Sequence, residues 1–289
     1  MSELRDSLEA LAAETAFSGA VRVDVGDEVE LAEAYGLAHR AHGVPNSVET
    51  QFGTASGTKG LTALAVVSLI DEGVLELGTT ARSVLGKDLP LIREDVTVEH
   101  LLAHRSGIGD YLDENEPMDI SAYLLSVPVQ ELATTEQYLA VLDGHETKFA
   151  PDERFAYCNG GYVILALIAE RTSGVPFHEL VEERVCGPAG MADTAFLRSD
   201  ELPARAALGY LEVDGATRTN IFHLPVRGTG DGGIYTTVAD FAAFWTALFD
   251  GRIVSREWVA TMTPAKERAV GPALWARVLA RRIGRRRDA

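Results

Sequence analysis

Cysteine is nearly absent: only Cys158 and Cys186 occur in 289 residues. Two thiols cannot build a disulfide framework, and their spacing fits no metal site. Basic charge is also scarce, with 26 Lys and Arg against 43 Asp and Glu and a net charge of −17. A nucleic-acid binder needs a basic face to displace counterions from phosphates, and docking on an anionic membrane needs one too, so neither partner is expected. No apolar run reaches the roughly 18 residues of a membrane span. The first residues, MSELRDSLEALAAETAFSGA, are acidic and amphipathic, without the basic n-region and apolar h-region of a signal peptide. The expected setting is therefore cytoplasmic. Internal repeats and low-complexity linkers are missing as well, and no feature fixes an oligomeric state.

What is present is ordinary for a globular chain: 46% hydrophobic and 24% charged residues. The length suits one compact unit with room for two lobes. Apolar spacing predicts a helix over Leu4 to Thr15. SGAVRVDVGDEVELAEAYG alternates around Gly26-Asp27, a hairpin signature. Ser56 to Glu72 reads as a buried helix. Thr97 caps a short helix that stops at Ser106-Gly107. Further helices are expected over Thr134 to Leu142, Tyr162 to Arg171, Pro176 to Val185 and Thr237 to Phe249, with extended chain after Arg218. The pattern is α+β, helices on an antiparallel sheet. One convincing hairpin is a small sheet for such a length.

The stretch FGTASGTKGLTALAVVSLIDEG places Lys59 three residues after Ser56, at the mouth of an apolar helix. Residues three apart share a helical face, so Ser56 and Lys59 can meet. A lysine in apolar surroundings loses proton affinity and can act as a base. A serine hydroxyl needs such a base to become a nucleophile, and a helix N-terminus suits a developing oxyanion. The alternative is a serine cap beside a lysine that snorkels to water. The apolar helix that follows leaves Lys59 little route to solvent, which adds weight to the chemical reading beside the bland one.

PDERFAYCNGGYVILALIAE repeats this logic. Tyr157 and Asn159 flank Cys158 ahead of a second apolar helix. A phenol can relay a proton, and an amide can hold a substrate carbonyl. The competing reading has Tyr157 packing and Asn159 capping the helix. Cys158, between them, is expected to point away and pack. Gly228, Gly230 and Gly233 satisfy G-x-G-x-x-G, but no strand–helix–strand unit surrounds them, so a backbone turn near the site is expected and dinucleotide binding is not. His100 and His104 stand four apart, yet Glu99 precedes His100 and breaks the zinc pattern. A buried histidine bonded at the helix end is expected there, and no metal or cofactor is assigned.

Together these stretches resemble the serine β-lactamase and penicillin-binding-protein family, most of all its class C-like D-alanyl-D-alanine carboxypeptidases and esterases. SGTK matches S-x-x-K and YCN matches Y-x-N. VTVEHLLAHRSGIGDY, PDERFAYCNGGYVILALIAERTSGVPF, CGPAGMADTAF and GDGGIYTTVADFAAFW follow family segments in order, over roughly residues 17 to 263. The resemblance implies a β-lactamase/transpeptidase-like fold, an antiparallel sheet flanked by helices beside a mostly helical lobe. It implies Ser56 as the acylated nucleophile, Lys59 as its proton acceptor, Tyr157 as the proton carrier for the leaving group and Asn159 as a substrate-placing residue. The Ser56 backbone N–H would be half of an oxyanion hole. The substrate would be a small molecule or short peptide: an ester, a β-lactam or a D-Ala amide, with an ester favoured. A ligand-binding relative without catalysis is the alternative.

The family's third motif, K-T-G or H-x-G, and its strands do not follow; RGTG at Arg227 comes before the family's preceding helix and is rejected as that motif. Residues 1–264 are expected to form an incomplete hydrolase domain, with C-terminal strands missing, and 265–289 an aberrant tail. Six arginines fall between Arg277 and Arg287 of this acidic chain. One permitted choice of codons for Ala273 to Ala289, read one base later, spells RYGLGFWLDESGDAVML, similar to the family's Y-G-L-G-F-W segment. A frame disruption near Glu267 to Ala273 is therefore expected. With it go an impaired enzyme, an unpaired edge on the hairpin of residues 18–35, and reduced cover over the helix Leu61 to Ile70.

Overall fold

A computed structural model describes residues 2–26, 28–115, 119 and 122–263. The expectations for residues 265–289 lie outside the described residues.

The chain begins with α1 (Ser2–Thr15), followed by the hairpin β1 (Gly19–Val25) and β2 (Glu28–Tyr35). Short strands β3 (Leu37–His39), β4 (Val44–Pro45) and β5 (Phe52–Gly53) lead to a 3-10 turn, Ala55–Gly57, and to α2 (Thr58–Asp71). Next come α3 (Ala81–Leu85), α4 (Val98–Leu102), α5 (Leu139–Leu142), α6 (Asn159–Ser173), α7 (Phe177–Val181) and α8 (Gly187–Ala189). A second hairpin, β6 (Tyr210–Val213) and β7 (Ala216–Thr219), precedes β8 (Tyr235–Thr236), α9 (Val238–Phe249) and α10 (Arg256–Met262).

Among the described residues all four strand pairs are antiparallel: β1–β2, β3–β4, β5–β8 and β6–β7. The first hairpin pairs Gly19 with Tyr35 and bulges between Val23 and Asp24. The second, in addition to the extended chain expected only after Arg218, turns at Asp214-Gly215, a D-G dipeptide that is itself a hairpin signal. Sheet content therefore exceeds the single hairpin expected. Helices α3 and α10 add to the expected set, each too short to show a period in the sequence.

Two helices form the centre. α2 and α6 carry apolar residues on every face, the pattern of helices enclosed on all sides. Leu61 to Leu69 are all buried, with α6, α7 and the π-helical turn Glu182–Cys186 against them. The expected loss of cover over Leu61 to Ile70 is thus corrected: these neighbours enclose it, and only Ile70 is partly exposed. α4 stops at Leu102, four residues earlier than expected, because Ala103 ends it and His104 turns the chain at φ 54°. Thr97 does cap it, accepting from His100 N.

The β5–β8 pairing fixes the place of the serine. Phe52 pairs with Thr236 and Gly53 with Tyr235, and Thr54 N donates to Ile234 O at 2.9 Å. The chain around residue 234 is thereby tied to the entrance of α2.

Candidate active site

Ser56 sits in the 3-10 turn, two residues before the α-helix proper. Ala55, ahead of it, has φ 45°, a left-handed conformation that a residue with a Cβ takes at some cost. Thr58 Oγ1 holds the turn by donating to Ala55 O at 2.8 Å and accepting from Ile234 N at 3.1 Å.

Lys59 is 5% exposed. Its Nζ donates to Ser56 Oγ at 3.3 Å, Asn159 Oδ1 at 2.8 Å and the Asp231 main-chain oxygen at 2.5 Å. From the other side the Tyr157 hydroxyl donates to Ser56 Oγ at 2.8 Å. Lys59 and Tyr157 thus meet at the Ser56 hydroxyl, and Asn159 joins them through Lys59.

Burial lowers the proton affinity of Lys59, opposed by Asp231 first and then by Glu114 and Asp110. Burial raises Tyr157 well above the ordinary phenol range, and its bond to Ser56 pulls the other way. Both directions favour the same assignment: the phenol keeps its proton, and the amine is the group that can give one up and take one back.

Asn159 is the first residue of α6, and its side chain holds the lysine while Nδ2 donates to Leu112 O at 2.8 Å and Glu114 Oε1 at 3.2 Å. The helix cap is Cys158, whose Sγ accepts from Gly161 N at 3.3 Å. So the thiol caps as well as packs, and Asn159 is not the cap. Asp110 completes this terminus, accepting from Asn159 N at 2.6 Å and Gly160 N at 2.8 Å. Burial pushes that carboxyl up while these bonds restrain it.

His104 is buried, accepts from Cys158 N at 3.1 Å through Nδ1 and lies between the rings of Tyr157 and Tyr162. His100 instead closes the capping box of α4 with Thr97. The two rings thus serve separate structural bonds.

The glycine-rich run forms a turn in which Thr229 bridges to Gly232. Gly230 packs against α6 so tightly that an added Cβ would stand 2.1 Å from Tyr162 O. Gly107, at φ 70°, makes a like approach to Phe149 O. Asp231, Tyr111, Asp110 and Glu114 were not singled out in the sequence. Asp231 lies within the glycine-rich run and Asp110-Tyr111 within VTVEHLLAHRSGIGDY, where no spacing marks them as site residues.

Burial holds His104 down to about 3, helped by Lys59, and His178, bonded to Gly228 O, down to about 4, from an ordinary 6.5. The unfolded chain therefore binds protons below pH 6.5 that the folded chain refuses, so stability falls as pH drops from about 6.5 towards those values. Each histidine contributes a slope of up to about 1.4 kcal/mol per pH unit. The buried Asp110 and Asp231, raised instead, act in the opposite sense. A difference measurement cancels them: denaturant titrations from pH 7 to 4.5 should show a shallower slope in His178→Leu, by up to one proton. An unchanged slope would mean that His178 is not held neutral.

Comparison with known proteins adds an independent line. A family model described as Beta-lactamase matches residues 4–277. A putative penicillin-binding protein of Bacillus subtilis (strain 168), PbpX, is 26% identical over 259 residues, 89% of this chain and 62% of that protein. Esterase EstB of Burkholderia gladioli is 30% identical over 198 residues, 63% of this chain and 47% of that protein. A crystal structure of a penicillin binding protein from Bacillus halodurans superposes with TM-score 0.84 at 34% identity, covering 91% of this chain and 80% of the other. The chain spans about half to three-fifths of the length of the curated relatives it matches. Among the described residues no helix is long and apolar enough to cross a membrane.

Proposed function

We propose, since the chain belongs to the beta-lactamase family, that it is a serine hydrolase working through an acyl-enzyme on Ser56. The observation that carries this reading is the bracketing of Ser56 Oγ by Lys59 Nζ at 3.3 Å and Tyr157 OH at 2.8 Å. Ser56 Oγ attacks the substrate carbonyl carbon while its proton passes to neutral Lys59. The tetrahedral centre collapses, the bond to the leaving group breaks, and Tyr157 hands the leaving group a proton that Lys59 resupplies. Water then attacks the acyl-enzyme, gives a proton back along the same path and releases the acid. The Ser56 N–H is one oxyanion donor, and Asn159 places the substrate by exchanging its 3.2 Å contact to Glu114 for the substrate carbonyl.

An ester is the favoured substrate over a β-lactam or D-Ala amide, and a non-catalytic ligand-binding relative is the alternative. The expectation for residues 265–289 belongs to the same proposal: an out-of-frame tail would leave turnover below that of a version continued in the other frame. Sequencing the gene decides that point.

A fluorophosphonate probe tests the nucleophile. The chain should label once, and Ser56→Ala should not label at all. Labelling that survives in Ser56→Ala would remove Ser56 from the reaction. Short-chain p-nitrophenyl esters against nitrocefin then separate esterase from β-lactamase.

A further inference from the structure

Asp231 faces two ways. Its carbonyl accepts from Lys59 Nζ at 2.5 Å, and its carboxylate accepts from the Tyr111 hydroxyl at 2.5 Å. The residue is 8% exposed. A carboxylate so dry is costly unless donors or a positive charge offset it. Lys59 is the cation that acts on it, and among the charges acting on Lys59, Asp231 acts most strongly.

The lysine's surroundings fit one charge state. An ammonium has three N–H donors and a neutral amine two. Lys59 Nζ has three acceptors, Ser56 Oγ, Asn159 Oδ1 and Asp231 O. The Tyr157 and Tyr162 rings add cation–π contacts at 4.9 and 5.7 Å. The resting cage is therefore built for the ammonium, whereas taking a proton from Ser56 needs the neutral amine.

We propose that Asp231 is a positioning residue for Lys59: its carbonyl fixes one N–H of the amine, and its buried carboxylate, oriented by Tyr111, is the counter-charge that keeps resting Lys59 protonated. The competent fraction is the one in which Lys59 has released that proton to solvent, so Asp231 sets the pH at which the site becomes active. Glu114 and Asp110 from the segment after α4, with Cys158 ahead of α6, act in the same direction on Lys59, and burial acts against them. Tyr111, Tyr157 and Tyr162 keep their protons, and His104 stays neutral, so none of them supplies competing charge. Tyr138, beside Asp231, is raised as well. The importance of this titration for acylation rests on the hydrolase reading above, but the titration itself does not.

The test uses the scarcity of lysine. The sequence has four, Lys59, Lys87, Lys148 and Lys266, so lysine labelled with ¹³C at Cε gives four signals. That of Lys59 is the one missing in Lys59→Met. In the unaltered chain it should report an ammonium at pH 7. In Asp231→Asn its midpoint should fall by roughly one pH unit, and in Asp231→Glu it should stay near the original value. Asp231→Ser, smaller and also uncharged, should shift it downward too, and serves if the asparagine variant does not fold. A Lys59 signal typical of a neutral amine at pH 7 in the unaltered chain would overturn the proposal with no variant needed. So would a folded Asp231→Asn or Asp231→Ser protein with an unmoved or raised midpoint. No substrate is used, so the expected shift in a chain that never labels would count against the hydrolase reading alone.

Discussion

Lys59→Ala should lose roughly 10⁴–10⁶-fold in the rate of fluorophosphonate labelling while keeping its fold. The size follows from the surroundings. Tyr157, the other group on Ser56 Oγ, is pushed up by burial, so it holds its own proton near neutral pH and cannot take another group's. His104 is close and neutral, but its Nδ1 lone pair is used by Cys158 N. Asp110 spends its oxygens on the N–H groups of α6, and the Asp231 carboxylate faces Tyr111. Among the described residues no second base points at the serine. Alanine also removes the cation that offsets Asp231 and takes a donor from Asn159 Oδ1 and Asp231 O, so the melting temperature should fall by several degrees, and labelling is compared where both proteins are folded. Labelling within tenfold of the original in Lys59→Ala would transfer the base role to Tyr157.

Gly230→Ala should be costly although it adds one methyl. That carbon would stand 2.1 Å from Tyr162 O and 2.8 Å from Ala166 Cβ. The first is backbone inside α6, which cannot turn aside as a side chain would. The loop must back away, and two bonds go with it: Thr62 Oγ1 to Gly230 O at 2.7 Å and Lys59 Nζ to Asp231 O at 2.5 Å. A buried donor left unpaired costs about 1–3 kcal/mol, and the strain of overpacking adds a similar amount. The melting temperature should fall by roughly 10 °C, and labelling of Ser56 should fall with it. Gly232→Ala is the control, since its added carbon meets its nearest neighbour, Ala55 O, at 3.4 Å. Equal melting temperatures for the Gly230 variant and the unaltered chain would show that the loop does not pack on α6 in this way.

These two cases mark what the sequence could show. Ser56 and Lys59 were legible because their relation is local: three residues on one helical path, ahead of an apolar run. Tyr157 and Asn159 were legible as a pair, and family likeness joined the pairs. Asp231 was not, because its role depends on the β5–β8 pairing, which links residues some 180 apart and shows no period along the chain. The buried helices α2 and α6 were readable from composition alone. Their exact starts were not: the 3-10 turn at Ala55–Gly57 is tied to Ile234 and the start of α6 to His104 and Asp110, all far along the chain. The hairpin β6–β7 was a different failure, since its D-G turn was there to be read.

The same long spans have a kinetic side. The bonds that hold Lys59 join residues 100 and 172 positions apart, and the bond of Tyr157 to Ser56 spans 101. Closing loops of that length is entropically slow, so chains rich in such contacts fold on the slower part of the range. During synthesis at about 5–20 residues per second, Ser56 is made several seconds or more before Asp231. Through that interval the nascent chain carries the serine and the lysine while the last of their partners, Asp231, is still missing. On the hydrolase reading proposed above, Ser56 would thus become competent late, with the arrival of a glycine-rich loop, and not with its own synthesis.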